Sequence, residues 1–289
     1  MQRILITGAS GFLGYNLCKD LAKKYKVFAT KNRTPVTAPV NDTVSLDLTG
    51  SLKSVEQFIK LHDINAVIHC AAMSKAGPCA RQPDLAKQVN IHGTEALASV
   101  ASQNRCRFIF FSTDLVYNSG EGPHSEDDPD PHLLYSQTKF DAEMKVFTAC
   151  PSAVILRSAL VYGDDDGKYG SFLRDNELDL NAGKTLTLFT DQFRTPVWSR
   201  DVAAAIHLIL QSGTRSQVFN IGGDTRINRY DLGLKIAEIF GWSDDQMIPV
   251  VMETVTKNAP YLKDCSLDST RLKQELGWQP TDIDEALKV

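Results

Sequence analysis

The chain of 289 residues is 43% hydrophobic and 23% charged, a composition that can bury a large core in one domain or in a domain with an attached lobe. Its formal net charge of −4 gives no reason to expect nucleic acid or an anionic membrane as a partner. The six cysteines are scattered without zinc-binding spacing, so we expect reduced thiols and no metal site.

Strand-like and helical segments alternate through the first two-thirds of the chain. Arg3–Thr7 is predicted to be a short apolar strand, and Phe12–Tyr25 an amphipathic helix. Because the first residues form a strand entering a glycine turn, and no apolar run could cross a bilayer, we expect a cytoplasmic protein without a signal peptide.

The same alternation continues toward the middle of the chain. We predict further strands at Lys26–Thr30, Ala66–Cys70, Arg107–Ser112 and Ala153–Arg157, and further helices at Ser51–His62 and Tyr135–Thr148. Pro83–Asn104 is predicted to be one long helix or a pair of helices. Such alternation is typical of βαβ crossovers, so we predict an α/β fold with a doubly wound, Rossmann-like parallel sheet.

The pattern loosens after Tyr162. A polar loop at Gly163–Gly170 is followed by predicted helices at Ser199–Leu210, Tyr230–Phe240 and Ser269–Leu276, with a strand at Val218–Ile221 between the first two. We therefore predict a dinucleotide-binding domain at residues 1–162, to which 196–222 returns. Residues 163–195 and 223–289 would form a smaller C-terminal substrate-binding lobe, and the long acidic segment 118–134 a functional loop.

A GxxGxxG turn formed by Gly8, Gly11 and Gly14 lies between the first strand and the first helix. Glycines there permit a tight turn, a close approach of the backbone to a pyrophosphate and close packing of the helix on the sheet. The helix N-terminus adds free N–H groups and partial positive charge. The alternative is a glycine turn that serves shape alone, but the strand and helix around it favour a dinucleotide.

The end of the second strand bears on the choice of dinucleotide. Lys31 and Arg33 lie there without a carboxylate, which suits the 2′-phosphate of NADP(H) better than the ribose hydroxyls of NAD(H). A solvated basic turn is the alternative. Asp47 follows the next strand-like segment and could bind the adenine amino group or cap a helix.

Tyr135 and Lys139 share one face of a predicted helix, since they are four residues apart. A nearby ammonium favours the phenolate, so we expect a lowered tyrosine pKa and a usable acid or base. Thr113 ends the apolar strand before them, at the sheet edge where ligands bind in such folds. Its hydroxyl could bind the substrate oxygen that Tyr135 protonates.

In these motifs the chain resembles the extended short-chain dehydrogenase/reductase family, and within it the dTDP-4-dehydrorhamnose reductase group. The resemblance implies that Lys139 also binds the nicotinamide ribose, that Thr113 holds the substrate oxygen and that Arg157–Ala159 lies beside the nicotinamide. The expected cofactor site comprises Gly8, Ser10, Gly11, Phe12, Leu13, Gly14, Lys31, Arg33, Asp47, Leu48, Ala71, Ala72, Ser112, Arg157 and Ala159. The expected substrate site comprises Asn90, Asp114 and Arg194.

Two leucines depart from the pattern of the rhamnose-forming enzymes. Leu115 and Leu160 stand where those enzymes usually carry aromatic residues, which puts dTDP-rhamnose itself in doubt. The leading hypothesis is an NADPH-dependent reductase, monomeric or homodimeric, that acts on a nucleotide-linked keto-sugar. One alternative is an epimerase or dehydratase with bound NAD, and Leu115 argues against dehydration because the family's dehydratases typically carry Glu at that position. The other is a non-catalytic nucleotide-binding subunit like the β subunit of methionine adenosyltransferase.

Overall fold

The computed structural model describes residues 1–118, 120–163, 171–255 and 262–288, and a seven-stranded parallel sheet lies at its centre. The strands of the described residues are β1 (Arg3–Thr7), β2 (Lys26–Lys31), β3 (Thr43–Ser45), β4 (Ala66–His69), β5 (Arg107–Thr113), β6 (Val154–Ser158), β7 (Val161–Tyr162), β8 (Leu186–Phe189), β9 (Phe193–Arg194), β10 (Val197–Trp198), β11 (Gln217–Ile221), β12 (Ile227–Asn228) and β13 (Met247–Val250). The helices are α1 (Phe12–Leu21), α2 (Lys53–Leu61), α3 (Ala76–Arg81), α4 (Pro83–Lys87), α5 (Thr94–Gln103), α6 (Leu134–Ala149), α7 (Phe172–Asn181), α8 (Ser199–Ser212), α9 (Arg229–Phe240), α10 (Met252–Val255), α11 (Thr270–Leu276) and α12 (Ile283–Ala286).

The strand order of the large sheet is β11-β6-β5-β4-β1-β2-β3. The chain builds outward from β1 to β3 and then crosses back to β4, which pairs with the other side of β1. In sheets of this kind the crossing point opens a crevice at the carboxyl ends of the two central strands. Thr7 and His69 are paired at those ends, so the residues that follow them border the crevice.

Helices cover both faces of the sheet. On one face α1 and α8 pack through Leu17 and Ile206, and on the other α2, α5 and α6 pack through Val55, Leu97 and Val146. Strands covered on both faces need apolar side chains in both directions. This explains the continuous apolar runs of β1 and β5, and the predicted α/β fold with a doubly wound parallel sheet is confirmed.

Several element bounds differ from the sequence prediction. The helix predicted at Phe12–Tyr25 ends at Leu21, and the segment predicted at Pro83–Asn104 contains α4, a π-helical turn (Gln88–Gly93) and α5. The strand-like segment expected before Asp47 is β3, which is three residues long and only partly buried, but the sequence did not predict α3, α7 and the other short elements. Short elements carry too little hydrophobic periodicity to stand out from loops.

Smaller pieces of sheet lie beyond the large one: β8 pairs with β13, β9 with β12 and β7 with β10. A separate apolar cluster around Leu186, Leu188 and Met247 joins the first of these pairs to α9. The predicted division into domain and lobe stays a prediction. Residues 164–170 of the predicted polar loop, and residue 119 of the acidic segment, lie outside the described residues. No described helix has both the length and the apolar character that a membrane span requires.

A buried ion pair joins β6 to α6. The guanidinium of Arg157 lies 2.7 Å from the carboxylate of Glu143, and both side chains are almost fully buried. Arg157 also donates to the Tyr117 hydroxyl and to the Glu126 carbonyl, each at 2.8 Å. Asn220 of β11 accepts from Tyr117, so one polar network ties the acidic segment to the sheet.

Replacing Arg157 by methionine should strongly destabilise the fold. The variant leaves the Glu143 carboxylate buried without its cation, which costs about 3–5 kcal/mol. Chemical denaturation measures the loss. The control is Lys60→Met, whose ion pair with Glu56 is exposed and should cost less than about 1 kcal/mol. Equal losses in the two variants would contradict the role given to the buried pair.

Candidate active site and cofactor cleft

The turn between β1 and α1 requires glycine because a side chain would have no room there. Gly8 has φ of +71°, and a Cβ atom on it would lie 2.8 Å from the Ala71 nitrogen. A Cβ atom on Gly14 would lie 2.2 Å from the Gly8 carbonyl oxygen. Helix α1 therefore starts directly against the strand ends, and the N–H groups of its first turn, which lack intrahelical acceptors, face the crevice.

Two adjoining clefts lie above this turn. The larger, of about 810 Å³, extends from the glycine turn to Tyr135, Lys139 and Arg194, and the smaller, of about 320 Å³, extends past Thr30 and Asn32 to Asp47. Volumes of this size are typical of ligand sites. The predicted residues that line one or both clefts are Gly8, Ser10, Gly11, Phe12, Leu13, Gly14, Asp47, Leu48, Ala71, Ala72, Ser112, Thr113, Asp114, Tyr135, Lys139, Ala159 and Arg194.

The three predicted catalytic side chains meet in the larger cleft. Thr113 ends β5 and caps the short turn after it by accepting from the Leu115 N–H at 3.2 Å. Tyr135 and Lys139 lie one turn apart on α6, and all three side chains are buried. The Lys139 ammonium lies 4.1 Å from the centre of the Phe110 ring, and burial lowers its pKa to about 8, although Glu143 opposes this shift.

The expected lowering of the Tyr135 pKa is wrong for this arrangement. Burial raises the pKa of Tyr135, and the carboxylate of Asp114 raises it further, while the Thr113 side chain offsets only part of the shift. The sequence placed a cation one turn away but could not show how deeply the phenol is buried. Tyr135 is therefore a neutral phenol at neutral pH, suited to donating a proton.

Asp114 and Arg194 form an ion pair across the cleft. Asp114 is 6% exposed, and one of its carboxylate oxygens, Oδ2, lies 3.4 Å from Nε of Arg194 without a geometrically good hydrogen bond. The other oxygen accepts from the Thr113 hydroxyl at 3.1 Å. Burial raises the pKa of Asp114, and Arg194 and Thr113 oppose the shift.

Two predicted ligand-binding side chains lie elsewhere. Arg157 lines neither cleft, because its guanidinium is held by Glu143 and Tyr117, whereas its neighbour Ser158 lines the larger cleft. Successive side chains of a strand point to opposite faces, which explains the difference. Asn90, predicted to bind substrate, instead holds the Met73 backbone through two hydrogen bonds. A third bond, to Thr138 at 3.0 Å, fixes Asn90 to α6, so it supports the site from behind.

The predicted 2′-phosphate site is exposed at the end of β2. Lys31 and Arg33 do not line the smaller cleft, but Asn32 between them does. Asp47 also lines it, and hydrogen bonds from the Thr49 side chain and backbone lower the pKa of Asp47. The charge of Arg33 lowers that pKa further, which places Arg33 close to the cleft mouth.

Sequence analysis missed several cleft residues, among them Asn32, Thr34, Cys70, Ser74, Gln192 and Arg229. Arg229 is half-buried, and burial together with the charge of Arg194 lowers its pKa to about 10. One signal could have found it. A cation in the first turn of a helix opposes the helix dipole, and Arg229 directly follows the cap residue Asn228.

The cleft residues fit a dinucleotide. The glycine turn offers unpaired N–H groups to a pyrophosphate, and the buried Ser112 hydroxyl, which lines the larger cleft, has no hydrogen-bond partner among the described residues. Within that same part of the chain, no group of three His, Cys, Asp or Glu side chains is arranged to hold a metal ion.

Comparison with known proteins finds relatives over the full length. The family described as the RmlD substrate binding domain matches residues 1–289. A protein of Haloferax volcanii named "Probable low-salt glycan biosynthesis reductase" is 31% identical, covering 97% of this chain and 94% of its own. The methionine adenosyltransferase 2 subunit beta of Danio rerio is 25% identical, covering 94% and 84%.

Solved structures show the same fold. A dTDP-4-dehydrorhamnose reductase ortholog of Clostridium acetobutylicum superposes with a TM-score of 0.84 at 27% identity, covering 99% of this chain and 97% of its own. A dTDP-4-dehydrorhamnose reductase of Bacillus anthracis in complex with NADP superposes with a TM-score of 0.86 at 20% identity, covering 100% and 98%.

Replacing Lys139 by methionine should stabilise the protein at neutral pH, because burying the ammonium is costly. The folded protein releases the Lys139 proton near pH 8, which is a lower pH than the unfolded chain requires. Above pH 8 the free energy of unfolding of the wild type should therefore rise relative to that of the variant. This rise in the free energy of unfolding should reach about 3 kcal/mol at about pH 10.4, which is the ordinary pKa of lysine. Denaturation across this pH range measures it. Lys145→Met, exposed on the same helix, should track the wild type, and a difference for Lys139→Met that did not change with pH would contradict the effect.

Proposed function

Because the chain belongs to the RmlD substrate-binding domain family, whose members include sugar-nucleotide reductases, we propose that it is an NADPH-dependent reductase of a nucleotide-linked 4-keto-sugar or a similar ketone. The resemblance to the dTDP-4-dehydrorhamnose reductase group is confirmed at the level of the family. The observation that carries the proposal is the meeting of Thr113, Tyr135 and Lys139 in the cleft that the glycine turn borders.

The cofactor would lie across both clefts. The turn from Gly8 to Gly14 would hold the pyrophosphate, Asp47 and Ala71 the adenosine, and Lys139 the nicotinamide ribose. Lys31 and Arg33 would bind the 2′-phosphate from the exposed rim of the smaller cleft. NADPH, when bound, supplies the hydride that reduces the ketone carbon.

The protein's own part in the reaction is to position and protonate the carbonyl oxygen. Thr113 would donate to that oxygen and hold it beside Tyr135, whose neutral phenol carries the proton to be transferred. Lys139 lies one helical turn further along the cleft, where it would hold the nicotinamide ribose beside Tyr135.

The far wall of the cleft supports an anionic substrate. Arg194 and Arg229 both line it. Among the residues that line the described part of this cleft, Asp114 is the only carboxylate that could neutralise them. Two cations beside one carboxylate suit a phosphate or diphosphate. Leu115 and Leu160 give the wall an aliphatic character in place of aromatic rings.

A non-catalytic role is the second candidate. The similarity to a methionine adenosyltransferase 2 subunit beta favours it, since that protein is named as a subunit of another enzyme. The complete set of Thr113, Tyr135 and Lys139 favours the reductase. Stable binding to another enzyme, together with no oxidation of NADPH by any keto-sugar, would favour a role as a non-catalytic subunit over the reductase.

Tyr135→Phe should lower kcat by about 100-fold or more, since it removes the proton donor. Purified protein is mixed with NADPH and a panel of dTDP- and other nucleotide-linked 4-keto-sugars, and the loss of NADPH absorbance is followed. NADPH affinity, measured by calorimetry, should stay within about twofold because the proposed phosphate contacts come from the glycine turn and Arg33. The control is Tyr25→Phe, whose hydroxyl contacts His207 on α8. Unchanged turnover in Tyr135→Phe would overturn the mechanism.

Arg33→Ala should weaken the binding of NADPH by about 10- to 100-fold, because hydrogen bonds to a charged group contribute about 1.5–3 kcal/mol. Binding of NADH, which lacks the 2′-phosphate, should hardly change. Calorimetric titration with both nucleotides measures the two affinities. Arg215→Ala is the matched control, since Arg215 is equally exposed but precedes β11 at the opposite edge of the sheet. Equal effects of Arg33→Ala on both nucleotides would argue against NADP selection by Arg33.

A further inference from the structure

The carboxylate of Asp114 is the least satisfied acidic group in the described cleft. It is 6% exposed, its Oδ2 atom has no hydrogen-bond partner, and its counterion Arg194 lies 3.4 Å away. A buried carboxylate without full hydrogen bonding destabilises a fold, so its presence beside the reacting groups calls for an explanation. Its Oδ1 atom contacts the Thr113 hydroxyl at 3.1 Å, and Thr113 in turn interacts with the Tyr135 phenol.

We propose that Asp114 supplies the proton that replaces the one Tyr135 gives to the substrate, and that the Thr113 hydroxyl carries it. The proposal rests on the proposed reductase function and adds a proton source to it. Asp114 does not touch the reacting carbon in this scheme, because it acts through Thr113 and Tyr135.

The hydrogen-bonding capacity of Thr113 permits the transfer. A hydroxyl has one donor and two acceptor positions. One acceptor position receives the Leu115 N–H at 3.2 Å, which holds the hydroxyl in place. In the structure the single donor of this hydroxyl is directed at Asp114. When Asp114 is protonated, this hydrogen bond can reverse so that the hydroxyl accepts from Asp114. Its donor, which held the substrate oxygen until that oxygen took the Tyr135 proton, can then turn to the Tyr135 oxygen.

The step balances in atoms and charge. Bound NADPH would supply the hydride of the new C–H bond, and the electron pair of the carbonyl oxygen would take the Tyr135 proton. The Tyr135 oxygen takes the Thr113 proton, and the Thr113 oxygen takes the proton of the Asp114 carboxyl group. The negative charge ends on Asp114, opposite Arg194, and solvent restores the proton after product release.

Charges around Asp114 favour this direction of transfer. The groups that face it are Tyr135, Arg194, Arg229 and Cys265. An ionised Asp114 raises the pKa of Tyr135, so the pair resists carrying two negative charges at once. Burial raises the pKa of Asp114 and so increases its protonated fraction, whereas Arg194 lowers that pKa and stabilises the carboxylate left after transfer.

Asp114→Asn should lower kcat by about 100-fold, because an amide keeps the size of the side chain but cannot pass on an acidic proton. Wild-type kcat should fall as pH rises through the Asp114 pKa, and this fall should be absent from the variant. The matched control is Asp201→Asn. Asp201 is also a buried carboxylate with a raised pKa, but it accepts from Thr281 and does not line the larger cleft, so kcat and its pH profile should match the wild type.

Arg194→Gln tests the counterion. Because Arg194 lowers the pKa of Asp114, its removal should move the fall in kcat to higher pH, whatever it does to KM. Carboxyl-carbon NMR titration of the wild type and of Asp114→Asn, without substrate, follows Asp114 directly. Its signal should titrate above the ordinary aspartate range and move higher still in Arg194→Gln.

The outcomes separate the two proposals. Wild-type kcat and pH profile in Asp114→Asn would overturn the relay and leave the reductase standing. A carboxyl that titrates at or below its ordinary value would overturn the relay whether or not the protein reduces a ketone. Failure of the wild type to oxidise NADPH with any keto-sugar would overturn both. A loss of kcat together with the altered pH profile would support the relay.

Discussion

The close approach of α1 to the carboxyl ends of β1 and β4 is the constraint on which the cleft depends. A side chain at Gly14 would collide with the Gly8 carbonyl, and one at Gly8 with the backbone of Ala71. The Thr7 hydroxyl strengthens the junction by accepting from two N–H groups after β4 and by contacting His69 at 2.7 Å. Without this junction, the first turn of α1 would not point its free N–H groups into the crevice.

The polar groups of the cleft are incompletely satisfied by the protein itself. Lys139 contacts the face of an aromatic ring, the Ser112 hydroxyl lacks a partner among the described residues, and Asp114 has one oxygen without a hydrogen bond. By contrast, several hydrogen bonds join Arg157 to Glu143 in the buried ion pair between β6 and α6. Ser112 and Asp114 both line the larger cleft, where a bound ligand could supply the missing hydrogen bonds.

Patterns confined to neighbouring residues could be predicted from the sequence. The glycine turn, the Tyr135–Lys139 spacing and the alternation of strands and helices each depend on a few consecutive positions. The direction of Arg157 could not be predicted, because a motif does not show which face of the sheet a side chain occupies. The position of Arg229 could not be predicted either. Arg229 reaches the cleft because β12 pairs with β9, which lies more than thirty residues earlier in the chain.

Because β11 pairs directly with β6, the described residues between Ser158 and Gln217 contribute no strand to the large sheet. Such a crossover behaves as an insertion between two neighbouring strands, and the entropy of closing it grows only logarithmically, by about 0.6 kcal/mol for each doubling of length. Arg194 lies on this insertion, whereas Tyr135 and the glycine turn do not. The segment that carries Arg194 can therefore change in length or sequence while the strands beside the glycine turn keep their register.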